Sequence, residues 1–161
     1  MSDGQEQSFD SEAGYAAAID GLLAATQQSV CVFDSDLVGM GLEQPGHCAT
    51  LGRILSAHPE GRLRMVLHDP QPLERGMPRL LNLLRRHSDR MEVRQTPKQL
   101  RHLSDCFLLG DLGHGVWRFH ARHARGKSLL DDAEALKPWH QRFGELWEAA
   151  TPCLAATRLG L

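Results

Sequence analysis

The sequence predicts an α/β fold with a mixed, mostly parallel sheet flanked by helices on both faces. Helical and extended patterns alternate through most of the 161-residue chain, which is typical of sheets covered by crossover helices. The clearest strand pattern, residues 29–33, is continuously apolar, as expected of a strand buried on both faces. The length fits one domain. We therefore expect an acidic N-terminal tail at residues 1–11 and a single domain over residues 12–161.

Helices are predicted where apolar residues recur every three or four positions. This spacing gives a helix over 12–28, a second that follows Pro45, and a third over 73–87. Proline and glycine in residues 58–61 end the second helix. The C-terminal helix is expected to bury Trp139, Phe143 and Trp147.

Strands are predicted at residues 29–33, 62–69, 91–94, 105–109 and 116–119. The three glycines between the last two suit a hairpin turn, and residues 120–128 lack an apolar pattern and are expected to be a linker. Ligands of parallel α/β sheets gather outside the carboxyl ends of the strands. The first candidate ligand positions are therefore the polar residues that end the first two strands, Asp34, Asp36, His68 and Asp69.

Composition excludes several classes of protein. With 42% hydrophobic residues and a net charge of −2, the chain is neither disordered nor of low complexity. No apolar run approaches the roughly 18 residues that span a bilayer, and the acidic N-terminus is unlike a secretory leader. We expect a cytoplasmic protein without membrane insertion. The four cysteines lack metal-ligand spacing, so we expect no metal site and no cofactor.

Charge is unevenly distributed along the chain. Residues 1–30 hold five acids and no bases, whereas residues 79–127 hold eleven Lys and Arg against four acids, an excess of +7. A basic face of this kind suits an anionic ligand such as a phosphodiester or a nucleic acid. The alternative is a solvated surface whose cations pair with the acidic N-terminal segment.

One run carries a family resemblance. Residues 101–111, R-H-L-S-D-C-F-L-L-G-D, place a histidine before an apolar strand that ends in Gly-Asp and turns into a second apolar strand. This resembles the strand-hairpin unit of the phospholipase D-like superfamily, and in particular a bacterial domain of that kind. The signature there is H-x-K, four residues, then D, with Gly-Ser-x-Asn on the next strand. The resemblance implies a histidine that attacks phosphorus, a second histidine from a paired motif that protonates the leaving group, and lysines that hold phosphate oxygens.

The chain departs from this signature at most positions. Counted from His102, the lysine position is Ser104 and the aspartate position is Leu109, with Asp111 two residues further along. Residues 117–120, W-R-F-H, replace the Gly-Ser-x-Asn element. The resemblance therefore implies a degenerate, single-motif domain in which His102 is a vestigial catalytic candidate.

We expect a catalytically silent binding or regulatory module whose partner is a phosphate-bearing ligand or a nucleic acid. The candidate ligand-binding residues are Ser104, Asp111, Arg118, His120, Arg122 and Arg125. One alternative is a phosphodiesterase with His102 as nucleophile, which would have to be a homodimer because full enzymes of this type use two motifs. A second alternative is a protein–protein interaction module. For the residues themselves, the alternative to an anion pocket is a solvent-facing hairpin edge in which His102 caps a turn.

Overall fold

The fold is built on one sheet. The computed structural model describes residues 5–111 and 113–154, and these contain eight strands: β1 (Gln5–Phe9), β2 (Ser29–Asp34), β3 (Arg62–Leu67), β4 (Met91–Gln95), β5 (Cys106–Gly110), β6 (His114–His120), β7 (His123–Leu130) and β8 (Thr151–Leu154). Their spatial order is β1-β7-β6-β5-β2-β3-β4-β8. The five predicted strands are all present, and the expected linker at residues 120–128 is largely β7.

The mixed sheet is confirmed, but the prediction that it is mostly parallel is wrong. Among the described strands, β2–β3 and β3–β4 pair in parallel, and the other five pairings are antiparallel. Three of those five involve strands without an apolar pattern. The edge strand β1 is exposed along nearly its whole length, and a strand that buries neither face needs no apolar residues.

The helices lie on both faces of the sheet, as predicted. They are α1 (Glu12–Ala25), α2 (Pro45–Ala57), α3 (Gln71–Gly76), α4 (Pro78–Arg86) and α5 (Ala133–Ala149). The first four bury their apolar residues in one core, and α5 packs Phe143 and Trp147 into a second core on the opposite face. The predicted third helix is two helices, because Met77 leaves helical geometry, with φ −126° and ψ 68°, as expected of a residue before proline.

Two consecutive hairpins determine where the functional residues lie. Strands β5 and β6 form the predicted hairpin, and β6 and β7 form a second one that turns at Ala121 and Arg122. Because β5 runs antiparallel to β2, the start of β5 lies at the same edge of the sheet as the carboxyl ends of β2 and β3. The turn between β6 and β7 reaches this edge too. No helix in the described ranges is both long enough and apolar enough to cross a membrane.

Candidate functional site

The tip of the β6–β7 hairpin, residues 119–125, is the centre of the candidate site. The backbone N–H of Ala121 donates to the carbonyl oxygen of Ser104 at 2.7 Å, which joins the tip to the segment that precedes β5. Three hollows surround the tip, and His120 and Arg122 each line two of them.

The histidine hollow has a volume of about 240 Å³, and four of the predicted site residues line it, namely His102, Ser104, His120 and Arg122. The ring of His68, which also lines it, is held on both sides, with Nε2 2.8 Å from the Leu103 carbonyl oxygen and Nδ1 2.7 Å from the Thr96 hydroxyl. Because a carbonyl only accepts, Nε2 carries the proton. His102 is exposed, so it is the accessible imidazole of this pair.

The inner pocket, of about 390 Å³, lies on the α1 side of the tip and is lined by Glu12, Tyr15, Asp34, Cys106 and Arg118, among others. Arg118 is only 5% exposed. Its guanidinium donates to both carboxylate oxygens of Glu12, at 3.1 and 2.9 Å, and lies 4.9 Å from the centre of the Tyr15 ring. It also donates to the carbonyl oxygens of His120 and Ala121, at 3.2 and 2.8 Å.

Arg118 is therefore bound from several sides within the protein. The sequence predicts that Arg118 binds a ligand. In the structure its guanidinium instead holds the backbone of the hairpin tip against the first turn of α1. Residues two positions apart on a regular strand share a face, but the register of β6 against β7 shifts between Arg118 and His120. As a result Arg118 lines the inner pocket, whereas His120 lines the other two hollows.

Three further groups of the inner pocket, the side chains of Tyr15, Asp34 and Cys106, are buried, and burial favours their neutral forms. Burial raises the pKa of the Asp34 carboxyl to about 6, against an opposing hydrogen bond from the Ser35 N–H. Burial also raises the pKa of the Cys106 thiol to about 12 and raises the pKa of Tyr15. The Tyr15 hydroxyl and the Cys106 sulfur are 3.8 Å apart. At neutral pH this pocket holds a thiol and a phenol, and a neutral thiol is a poor nucleophile.

The raised pKa of Asp34 makes stability depend on pH. In the unfolded chain this carboxyl has its ordinary pKa of 3.8, and in the folded protein its pKa is about 6. The free energy of unfolding should therefore fall as the pH rises from about 4 to about 6 and remain reduced above that. The reason is that burial in the folded protein disfavours the ionised carboxylate. We expect Asp34→Asn to raise the free energy of unfolding at pH 7.5 by up to about 3 kcal/mol, and by much less at pH 4. Urea unfolding of both proteins at the two pH values measures this difference, and an equal effect at both would contradict it.

The outer hollow, of about 330 Å³, is lined by Phe119, His120, His123 and Arg125. Phe119 is 54% exposed, and the rings of His120 and His123 are 5.4 Å apart. Within the described residues, neither Arg122 nor Arg125 lies within ion-pair distance of a carboxylate. Both side chains are exposed. The hairpin tip thus presents uncompensated positive charge beside an exposed aromatic ring.

Two acidic residues of the signature segment, residues 101–111, have partners outside the hairpin tip. Asp111 is at the opposite end of β5, where its carboxylate accepts from the N–H groups of Gln27 and Gln28 at 2.9 and 2.7 Å. It therefore joins the β5–β6 turn to the start of β2 and does not reach the hairpin tip. Asp105, which directly precedes β5, is bound by both terminal nitrogens of Arg142. Among residues 5–111 and 113–154 no three His, Cys, Asp or Glu side chains are grouped as a metal site would require.

The family described as "Domain of unknown function (DUF7931)" matches residues 11–159, nearly the whole chain. The chain belongs to this family. No curated protein matches it in sequence.

Solved structures similar to this DUF7931 domain include several members of the phospholipase D family. Nuc from Salmonella typhimurium, a phospholipase D family member, has a TM-score of 0.61 at 8% identity, over 95% of this chain and 100% of that one. NucT from Helicobacter pylori has a TM-score of 0.63 at 9% identity, over 94% and 100%. At this identity the likeness concerns the fold, which is phospholipase D-like.

A further similar structure is TrmBL2, an archaeal chromatin protein whose structure shows a novel mode of DNA binding. Its TM-score is 0.66 at 13% identity, over 92% of this chain and 54% of TrmBL2. This chain therefore spans about half the length of that relative, and here too the likeness concerns the fold alone.

Three residues of the site were not found from the DUF7931 sequence. Glu12 and Tyr15 meet Arg118 across more than 100 positions of the chain, and no local pattern indicates such a contact. Phe119 was assigned to an apolar strand. Its neighbours in the chain are Arg118 and His120, and because successive strand residues point to opposite faces, this pattern predicts a buried Phe119 and gives no signal of its exposure.

Proposed function

We propose that this domain is a non-catalytic phospholipase D-like domain that binds a nucleic acid through the cations of its hairpin tip. The observation that carries the proposal is the group formed by Arg122, His123 and Arg125, which are exposed at the hairpin tip. Neither arginine has an acidic partner among the described residues. Phosphodiester chains bind such groups because each contact releases condensed counterions.

The alternative of ion pairing with the acidic N-terminal segment accounts for only part of the basic region. Glu12 pairs with Arg118 at 2.9 Å and Glu6 pairs with Lys127 at 3.1 Å. Both pairs hold the base of the hairpin to α1 and β1. They leave the tip, which is the part that projects toward solvent, with its charge available for a ligand.

The absence of the signature side chains supports a non-catalytic domain. Counted back from Asp111, the histidine and lysine positions of the signature are Ser104 and Cys106. Counted forward from His102, the lysine position is Ser104 and the aspartate position is Leu109. In neither register does an imidazole stand together with an amine, and loss of a group that holds the phosphate oxygens should remove much of the transition-state stabilisation.

The similar structures agree with the proposal at the level of fold. TrmBL2 is described as a chromatin protein with a mode of DNA binding, so a fold of this kind is compatible with a DNA-binding protein. The proposal for this chain depends on its own hairpin tip, because identities of 13% or less carry no residue-level function.

The proposal is tested by fluorescence anisotropy with a labelled oligonucleotide of mixed sequence. We expect binding at about 50 mM salt that weakens steeply toward about 200 mM, because the release of condensed counterions is less favourable at higher salt. The double variant Arg122→Ala, Arg125→Ala should bind at least about tenfold more weakly at low salt, and its log–log salt slope should be smaller by about two. The matched control is Arg85→Ala, Arg86→Ala, which removes two exposed arginines at the end of α4 and should change affinity by less than about twofold.

Three outcomes would contradict the proposal. Absence of binding at low salt would leave the basic region as a solvated surface. Cleavage of the oligonucleotide that disappears in His102→Ala, but persists in the α4 control, would establish the alternative of a phosphodiesterase, and a dimer in the same preparation would fit its need for two motifs. Binding lost only in the α4 variant would move the site to Arg85 and Arg86.

A further inference from the structure

We propose that the hairpin tip selects single-stranded nucleic acid and that Phe119 is the platform on which an unpaired base stacks. This inference rests on the proposed function and names the class of nucleic acid that the same site takes. It depends on the aromatic ring of the tip, whereas the proposed function depends on the cations.

The exposure of Phe119 is unusual in this protein. Among the described residues it is one of two large hydrophobic side chains that are exposed, the other being Val38. Two residues earlier on β6, Trp117 stacks on Trp139 of α5 with ring centres 5.1 Å apart. Phe119 lies beyond that covered part of the strand, and 54% of its surface remains accessible. An aromatic ring left open in this way can receive the flat face of a base.

The surroundings of Phe119 favour a polyanion over an apolar partner. The outer hollow that it lines is otherwise formed by His120, His123 and Arg125, and no carboxylate lines it. A protein partner that buried this ring would also have to cover the positive charge around it. A nucleic acid strand matches both features, because its bases stack on aromatic rings while its phosphates meet neighbouring cations.

The same chemistry distinguishes single strands from duplexes. In a duplex each base is already stacked between its neighbours, so its face is not accessible to Phe119 unless the pair is opened. The hydrocarbon ring of Phe119 offers no hydrogen-bonding groups, and it therefore cannot read the edges of a base. The site should accordingly prefer single strands and tolerate any sequence.

The test compares three labelled probes of equal phosphate count in anisotropy titrations. They are a single strand of about 20 nucleotides, the same backbone with stable abasic residues, and a duplex with that number of phosphates. The wild-type protein should bind the normal strand about tenfold or more tightly than the abasic one, because stacking is lost with the bases. Phe119→Leu should lower affinity for the normal strand to the abasic level, while Phe119→Trp should retain it. Circular dichroism and thermal unfolding verify that both variants fold, as expected for an exposed position.

The outcomes separate this inference from the proposed function. If the normal and abasic strands bind equally and binding still depends on Arg122 and Arg125, the tip is a polyanion site and the stacking inference is wrong. Unchanged binding in Phe119→Leu, or a preference for the duplex, would overturn it as well. Tighter binding of polyglutamate than of the normal strand would identify an acidic protein segment as the better ligand and would overturn the inference. Failure of every probe to bind would overturn the proposed function itself.

Discussion

Arg118→Ala should lower the free energy of unfolding by about 2–4 kcal/mol. The buried guanidinium donates to Glu12 and to the carbonyl oxygens of His120 and Ala121, and it covers the Tyr15 ring. Its loss removes a hydrogen bond from each of these carbonyls and opens the contact between the hairpin tip and α1. Urea unfolding followed by circular dichroism measures the change. Arg118→Lys should recover little, because an ammonium cannot reproduce the planar set of donors.

The matched variant is Glu12→Gln, which removes the charge but not the hydrogen-bonding capacity of the partner. The Glu12 side chain is 69% exposed, so solvent screens its attraction to Arg118, and the cost should be less than about 1 kcal/mol. If Arg118→Ala unfolds like the wild type and loses only oligonucleotide affinity, Arg118 is a ligand contact. That result would support its sequence-based assignment over the structural role argued here.

How much of the fold the sequence predicts depends on burial. Strand β2 has no exposed residue and β5 is buried throughout, and both are evident from continuous apolar runs. Strand β1 is exposed, β7 carries the basic segment, and β8 begins Thr-Pro, so none has the alternation that predicts a strand. Because all three pair antiparallel, their omission produced the incorrect expectation of a mostly parallel sheet.

For the candidate site, what the sequence predicts depends on whether a feature is local in the chain. The signature segment and the basic region are local in sequence, and the structure does bring His102, Ser104, His120 and Arg122 together. Which cation is available for a ligand is decided by contacts between distant segments, and these have no local signal. Arg118 and Arg122 are four positions apart, yet one is buried against α1 and the other is exposed.

Gly126→Ala should destabilise the protein by about 3 kcal/mol or more. Gly126 lies on β7 between β1 and β6, opposite Phe9 and Arg118. A Cβ atom at this position would stand 2.0 Å from the Trp117 carbonyl oxygen and 2.6 Å from the edge of the Phe9 ring. The backbone oxygen cannot move away without loss of the β6–β7 pairing. Thermal and urea unfolding should both show the loss, and the hairpin tip should lose oligonucleotide affinity with it.

The matched change is Gly144→Ala, at a glycine inside α5 where an added Cβ meets nothing within 4 Å. There alanine removes backbone freedom from the unfolded chain, and we expect a gain of about 0.5–1 kcal/mol. The two substitutions add the same methyl group, so the difference between them isolates the close approach of three strands at Gly126. Equal effects at the two positions would mean that β1 does not pack on β7 as described. The hairpin would then lack the rigid base on which the arrangement of Phe119, Arg122 and Arg125 depends.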